Sequence, residues 1–358
     1  LTRSRKWRAC QGPTANEKVI EVSEVADPVL WRLSSTRFLD IVSDPLYRTI
    51  VDLNDLLTYT STCFWRDRGI KATHFPITTA SVSSPVGLGS DSLPVAVDIL
   101  GQRTFLADSM QFLLEYACRF NTAGAWYILP SFRGEEPDST HLNQFFHSEA
   151  EVFGDLDTVI SVASAYVRAL AASVLDELGP RLFEQGRSTD HIEQMAELRT
   201  IPRITFDQAA EHLRGDDRAM ISYPDWRTLT RHGEQRLMAE VSPVLWVTRF
   251  DHLSAPFYQA FADTSRTKAA NADLLFGPGE IIGAGQRHET ADDIHAALKL
   301  HGVPSSPYDW YIRMKERYPM PTAGFGMGVE RWLMWILGEQ DIRDVQLALR
   351  LKGQCSNP

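Results

Sequence analysis

Three stretches of the chain gather side chains able to handle a phosphate, a carboxylate or a proton. The first, SFRGEEPDSTHLNQFFHSEAE (131–151), holds Arg133, four glutamates, an aspartate and two histidines around a Pro-Asp turn signal. In a strand, alternate residues share a face, so His141, Asn143, Phe145, His147, Glu149 and Glu151 project together, opposite Leu142, Phe146, Ala150 and Val152. The apolar side suits packing on helices and leaves a ring among ionisable groups; a solvated sheet face carries the same alternation. The second, GFGMGVER (324–331), follows RYPMPTA near the C-terminus rather than opening a βαβ unit, which separates it from a dinucleotide fingerprint. Alternate glycines in an extended segment let a flat ring lie on bare backbone, with Arg331 reaching a phosphate; a tight strand-to-helix turn uses the same residues. In the third, DLLFGPGEIIGAGQRHE, Asp273 and Glu280 flank a turn and can converge on Mg²⁺, although exposed hairpin carboxylates look no different. Arg287 offers a fork for a carboxylate, or a surface ion pair.

These groups need elements to aim them. DPLYRTIVDLNDLLTYTSTCFWRDRGI carries Ile50, Leu53, Leu56 and Leu57 at helical spacing and stops near Gly69. ATHFPITTASV reads as extended, SSPVGLGSDSLP as a loop and VAVDILGQRTFLA as a hairpin. AWYILPSFR and HLNQFFHSEAEVF read as two strands joined by GEEPDST. DLDTVISVASAYVRALAASVLDELGP is a helix, with Val159, Val162, Tyr166, Leu170, Val174 and Leu178 on its apolar side and a Gly-Pro stop. The polar stretch 186–240 reads as peripheral. PVLWVTRF is a strand, two more surround the glycine turn after Asp273, and AGFGMGVERWLMWILG runs from a glycine-rich strand into an apolar helix. Strands joined by hairpins with helices outside them predict an α+β fold, an antiparallel sheet flanked by helices. With no internal repeat or linker, residues 1–36 read as an N-terminal extension and 37–358 as one catalytic domain.

At 358 residues, 44% hydrophobic and 23% charged, the chain can bury one large core or two modest ones. Its formal charge of −10 gives no uniform basic field for a phosphate backbone, so no nucleic-acid partner is expected. Cys10, Cys63, Cys118 and Cys355 form no CxxC pair, which argues against a zinc knuckle or disulfide framework. No apolar run approaches the roughly 18 residues of a membrane span, and LTRSRKWRACQG lacks a signal-peptide core. A cytoplasmic protein without a membrane partner is expected.

In this order, FRGEE…HLNQFF, GPGEIIGAGQRHE and GFGMGVER resemble the second motif, the pre-motif segment and the third motif of class II aminoacyl-tRNA synthetases, closest to the asparaginyl and aspartyl branch. THFPITT, with Pro76, resembles the first, dimer-forming motif, so the likeness spans roughly residues 37–352 and implies a homodimer. The resemblance implies that Arg133 holds the ATP α-phosphate, Glu135 the adenine edge and His141 the outer phosphates. Phe145 would stack on the purine, Arg331 would clamp the far phosphate beside Gly328, and Asp273 with Glu280 would bind Mg²⁺. Thr140 departs from the arginine that synthetases place before HL.

Two further departures fall at the amino-acid end. The family's Glu after the first motif and the Gln that follows it fall on Val86 and Met110, and neither can hold an ammonium group. GLGSD with LADSM resembles the archaeal-type asparagine synthetases, paralogues without the anticodon-binding domain, and about 36 leading residues are too few for an oligonucleotide-binding barrel. Arg287 would grip one carboxylate of an aspartate-like acid, with Asp91, Asp108, Ser109 and Glu149 around its ammonium, while the other carboxylate attacks ATP. His288, where asparaginyl synthetases carry a Glu, favours a carboxylate substrate. The expected function is therefore an AMP-forming carboxylate–amine ligase that converts aspartate and ammonia to asparagine. A ligase joining another acid and amine, a non-catalytic paralogue and an aspartyl- or asparaginyl-tRNA synthetase are the alternatives.

Overall fold

The computed structural model describes residues 36–84 and 92–353; the expected extension apart from Thr36, and Val86, Asp91, Cys10 and Cys355, lie outside them. The strands are β1 Lys71–Ala72, β2 Thr78–Thr79, β3 Val95–Ile99, β4 Gln102–Leu106, β5 Ala125–Phe132, β6 Gln144–Phe153 and β7 Arg203–Thr205. They continue as β8 Met220–Ser222, β9 Arg227–Leu229, β10 Leu245–Thr248, β11 Asn271–Phe276, β12 Gly279–Gln286 and β13 Thr322–Gly328. The helices are α1 Arg37–Asp40, α2 Pro45–Asp67, α3 Gln111–Cys118, α4 Leu156–Glu184 and α5 Asp190–Glu197. After them come α6 Phe206–His212, α7 Arg231–Glu240, α8 Ala291–His301, α9 Asp309–Arg317 and α10 Val329–Leu337.

Eight strands form the main sheet in the order β1-β5-β6-β13-β12-β11-β10-β7. Its interior is antiparallel, as the hairpin pattern predicts, but both edge pairs, β1 with β5 and β10 with β7, are parallel. The sheet is therefore mixed. The residues between 186 and 240 are less peripheral than their polarity suggests, because β7 extends this sheet and α7 packs against β11 and β12.

Local chemistry sets the two long helices. Asp44 caps α2 by accepting from Leu46 N at 2.9 Å, Pro45 starts the helix, and Gly69 ends the following turn at φ +72°. Asp155 caps α4 in the same way at Thr158 N. The Gly-Pro pair does not stop α4, which continues through Pro180 to Glu184. By length and composition α4 could cross a membrane, contrary to the expectation that no such run exists. Here it buries Val159, Tyr166, Leu170 and Val174 as a core helix.

Strand alternation separates core from cleft. Ala150, Val152, Phe325 and Met327 lie buried in the same core as Trp65 of α2 and Tyr166 of α4. The Tyr166 ring lies 5.0 Å from that of Trp65 and 5.8 Å from that of Phe325. Burial of a side chain the size of Val152, Phe325 or Met327 contributes about 1.5–3 kcal/mol. The intervening residues, Glu149 and Glu151 on β6 and Gly324, Gly326 and Gly328 on β13, project to the opposite face. Phe146 departs from this partition and is 40% exposed.

Candidate active site

That opposite face is the floor of a cleft of about 620 Å³. At one end β5 and β6 are closed by the turn between them. Arg133 N donates to Asn143 O at 2.9 Å, and Asn143 Nδ2 donates to the carbonyls of Arg133 and Glu135. Asp138 Oδ1 accepts from the backbone of Thr140 and His141, which fixes the Pro-Asp turn. Because β6 begins at Gln144, His141 and Asn143 belong to this turn rather than to the strand face. The Arg133 guanidinium carbon lies 5.4 Å from the centre of the Phe145 ring, and its buried Nε has no protein partner. Glu135 also lines the cleft, where Oε2 accepts from Leu93 N at 3.2 Å.

Arg331, in the first turn of α10, enters from the other wall. Its Nη1 donates to Glu280 O at 2.7 Å and its Nη2 to His141 Nε2 at 3.3 Å. Gly328, the residue before α10, lines the same wall, where a Cβ would lie 3.7 Å from the Arg331 side chain. Asp273 and Glu280 overhang Gly283, where a Cβ would stand 3.0 Å from Glu280 Oε1 and 3.9 Å from Asp273 Oδ1. Burial, then Glu280 and Glu234, push Asp273 well above the ordinary carboxylate range. Glu234 comes from α7, and its Oε2 accepts from Glu280 N at 3.2 Å. Nothing in its polar segment marks this carboxylate in the sequence. Among the described residues no three His, Cys, Asp or Glu side chains form a ready-made metal cage. Paired carboxylates with Arg331 at 3.9 Å from Glu280 instead suit Mg²⁺ carried on a polyphosphate, since that ion takes few protein ligands.

At the far end Arg287 is buried against Glu151, with Nη2 at 3.0 Å and Nε at 3.2 Å, while Nη1 donates to Gln259 Oε1 at 3.2 Å. Glu149 accepts from Ser109 Oγ at 2.6 Å and from Tyr127 OH. Burial raises the Glu149 carboxyl to about 7, against the lowering effect of Ser109, Tyr127 and Arg287.

The structure does not bring every expected group to the substrate position. Asp108 lines the cleft, but its carboxylate is occupied by Ser83 N, Ser83 Oγ and Ser84 N at 2.7–2.9 Å. His288 is absent from the cleft wall. It packs behind Arg287 against Phe261 and His252, with its Nε2 buried and unpaired. Met110 likewise faces the core, whereas its neighbour Gln111 lines the cleft. A one-residue shift at the start of α3 thus restores a glutamine amide where the sequence suggested a thioether.

A mixed sheet flanked by helices, with this cleft on one face, defines a class II aminoacyl-tRNA synthetase-like catalytic core. Residues 32–348 match tRNA synthetases class II (D, K and N), and the chain belongs to that family. It is 28% identical over 290 residues to the asparagine–tRNA ligase of Myxococcus xanthus, covering 79% of this chain and 62% of that one. Against the asparagine–tRNA ligase of Syntrophobacter fumaroxidans it is 29% identical over 355 residues, with 89% and 75% covered. The asparaginyl-tRNA synthetase of Pyrococcus horikoshii, solved with asparaginyl-adenylate, superposes with a TM-score of 0.81 at 25% identity, covering 93% of this chain and 74% of that one. The Entamoeba histolytica asparaginyl-tRNA synthetase shares the fold at a TM-score of 0.78 and 21% identity, with 94% and 74% covered.

These relatives correct the expected ammonia-dependent asparagine synthetase, because they are named asparagine–tRNA ligases. The outward-facing Gln111 removes one of the two departures on which that expectation stood.

Proposed function

We propose that the chain activates an amino acid of the asparagine and aspartate class as an acyl adenylate, asparagine first, and transfers it to a tRNA. The observation behind this reading is the order of groups along the cleft. Along β6, Phe145 with Arg133 over its ring is followed by Glu149 and then by Glu151, which holds Arg287, while Arg331 enters from the other wall. With the α-phosphate drawn to Arg133, these groups fit the purine, ammonium and side-chain carbonyl of an aminoacyl adenylate, and Arg331 is placed for the pyrophosphate that departs. The likeness to the Pyrococcus enzyme bound to asparaginyl-adenylate supports it. A tRNA partner replaces the expectation of no nucleic acid; net acidity excludes a uniform basic surface, not a local one.

In this reading Phe145 stacks on the purine and Glu135 meets its edge. Arg133 draws the α-phosphate toward the acid, and Arg331 with His141 holds the outer phosphates. An oxygen of the amino acid's α-carboxylate attacks the α-phosphorus in line, and the bond to pyrophosphate breaks. Preorganised donors to the developing charge are worth about 2.7–4 kcal/mol each. Mg²⁺ held by Asp273 and Glu280 would supply further charge neutralisation on the phosphates. Glu149, with Ser109 and Tyr127 on its oxygens, receives the substrate ammonium, and Gln111 lies beside it. Arg287 donates to the side-chain carbonyl. Its fixed position against Glu151 leaves little freedom to follow a longer side chain.

The outer face of α2 exposes Val51 and Tyr59, and we place there the contact of a homodimer, testable by sedimentation. Pyrophosphate exchange into ATP with asparagine and aspartate in parallel tests the activation step. Charging of purified tRNA tests the transfer.

A further inference from the structure

His147 occupies a place along the cleft that the binding roles above leave unassigned. On the floor-facing side of β6 it stands between Phe145, which would carry the purine, and Glu149, which would hold the ammonium. Its ring centre lies 4.8 Å from that of Phe145, and its Nδ1 lies 3.3 Å from Glu149 Oε1. Residues two apart on a strand are separated by about 6.6 Å, so the imidazole sits at the junction of nucleotide and acid. That junction is where the mixed anhydride of an acyl adenylate would lie. Gly328, paired with His147 across β13, carries no side chain that could fill the space in front of the ring.

The two ring nitrogens are not equivalent. Nδ1 is engaged by Ser131 Oγ at 2.8 Å and faces Glu149. Nδ1 is thus the nitrogen turned to protein groups, and the tautomer with its proton on Nδ1, donated to Ser131 Oγ, leaves a lone pair on Nε2. His147 lines the cleft, and its side chain keeps 14% of its surface exposed. We propose that His147, through Nε2, is the base that takes the proton from the acyl acceptor when the adenylate is consumed.

The step balances without another reagent. The acceptor hydroxyl oxygen bonds to the acyl carbon as its proton passes to Nε2. The bond from the acyl carbon to the phosphate oxygen then breaks, and AMP leaves with the electron pair. Solvent returns the imidazole to neutrality after release. Burial, followed by the charges of Arg133 and Arg331, lowers the imidazole pKa to about 3, which keeps the ring neutral in the free protein and weakens it as a base there. The adenylate phosphate bound at Arg133 offsets that arginine's charge and raises the basicity of the ring for the transfer step.

The inference rests on the adenylation reading, and its test separates the two. ATP–pyrophosphate exchange reads adenylate formation, whereas a single-turnover chase of enzyme-bound adenylate with tRNA reads transfer. In His147→Gln and His147→Gly the ratio of transfer to exchange is expected to fall on the order of 10²-fold or more. Added imidazole should restore transfer in His147→Gly in proportion to its concentration. The acid limb of the transfer pH profile, where rate falls as the base is protonated, should vanish in His147→Gln. An equal fall in both half-reactions, or an unchanged ratio, overturns the role of His147. So does transfer by His147→Gly that ignores imidazole. Absence of exchange in the unaltered protein, seen before any variant is made, would remove the adenylation reading itself.

Discussion

Arg287 is anchored by Glu151 through both Nη2 and Nε, at 3.0 and 3.2 Å, in a pair that water does not reach. Removing one partner of a buried pair strands the other charge, at a cost of about 3–5 kcal/mol. Glu151→Ala should lower unfolding stability by that amount in urea titration and weaken amino-acid binding, because Arg287 loses its orientation. Unchanged stability would show that solvent reaches the guanidinium.

The same logic applies one layer deeper. Glu115 accepts from Tyr311 OH at 2.5 Å and from Lys315 Nζ, and all three side chains are buried. Lys315→Met should cost a further 3–5 kcal/mol or so, with much of the loss recovered by pairing it with Glu115→Gln. Urea titration of the single and double variants checks this, and strict additivity would contradict it.

Gly324 tests the bare-backbone floor. A Cβ there would lie 1.9 Å from Glu151 Oε2 and 2.7 Å from the carbonyl oxygen of Ala150. Gly324→Ala must therefore displace Glu151 and with it Arg287. Exchange activity should fall by more than about 10²-fold, with the larger effect on the amino-acid KM than on the ATP KM. Steady-state exchange kinetics distinguish this from general damage, which would affect both alike.

Glu149 gives a pH signature. With its carboxyl raised to about 7, chiefly by burial, the native state keeps a proton that the unfolded chain releases near the ordinary carboxylate range of about 4.3. The native state binds more protons in that window, so this group's contribution to stability falls as pH rises from about 4.3 to 7. Thermal melts across the window should show a steeper decline for the unaltered protein than for Glu149→Gln. Parallel declines would mean that Ser109 and Tyr127 hold Glu149 ionised throughout.

Much of this arrangement was legible in the sequence where period and chemistry agreed. Glu149 and Glu151 could be partitioned from Ala150 and Val152, cleft from core, because a strand alternates strictly. Gly324 and Gly326 stood out because they occupy the face that a substrate needs. The failures came where one residue decides the facing. Met110 and Gln111 exchange roles at the start of α3, a choice made by the packing of Met110 with Ala107 and Leu114. Glu234 was illegible because α7 is brought to Glu280 by tertiary packing alone. Asp108 reads as a free acid until the Ser83–Ser84 backbone that it caps is seen.

The phosphate end offers a sharp quantitative check. Arg331→Ala removes a guanidinium fixed between Glu280 O and His141, and exchange should fall on the order of 10²–10³-fold while folding is retained. Assays with titrated Mg²⁺ should show strict dependence on the ion, weakened in Glu280→Gln. Activity indifferent to either change would place the polyphosphate elsewhere.

The most direct measurement is the fate of labelled asparagine incubated with the protein, ATP and Mg²⁺, first alone and then with tRNA. The account predicts an enzyme-bound asparaginyl adenylate, absent in Arg133→Ala, whose label moves to the tRNA. No adenylate from asparagine or aspartate, or an adenylate that forms equally well without Arg133, would contradict it.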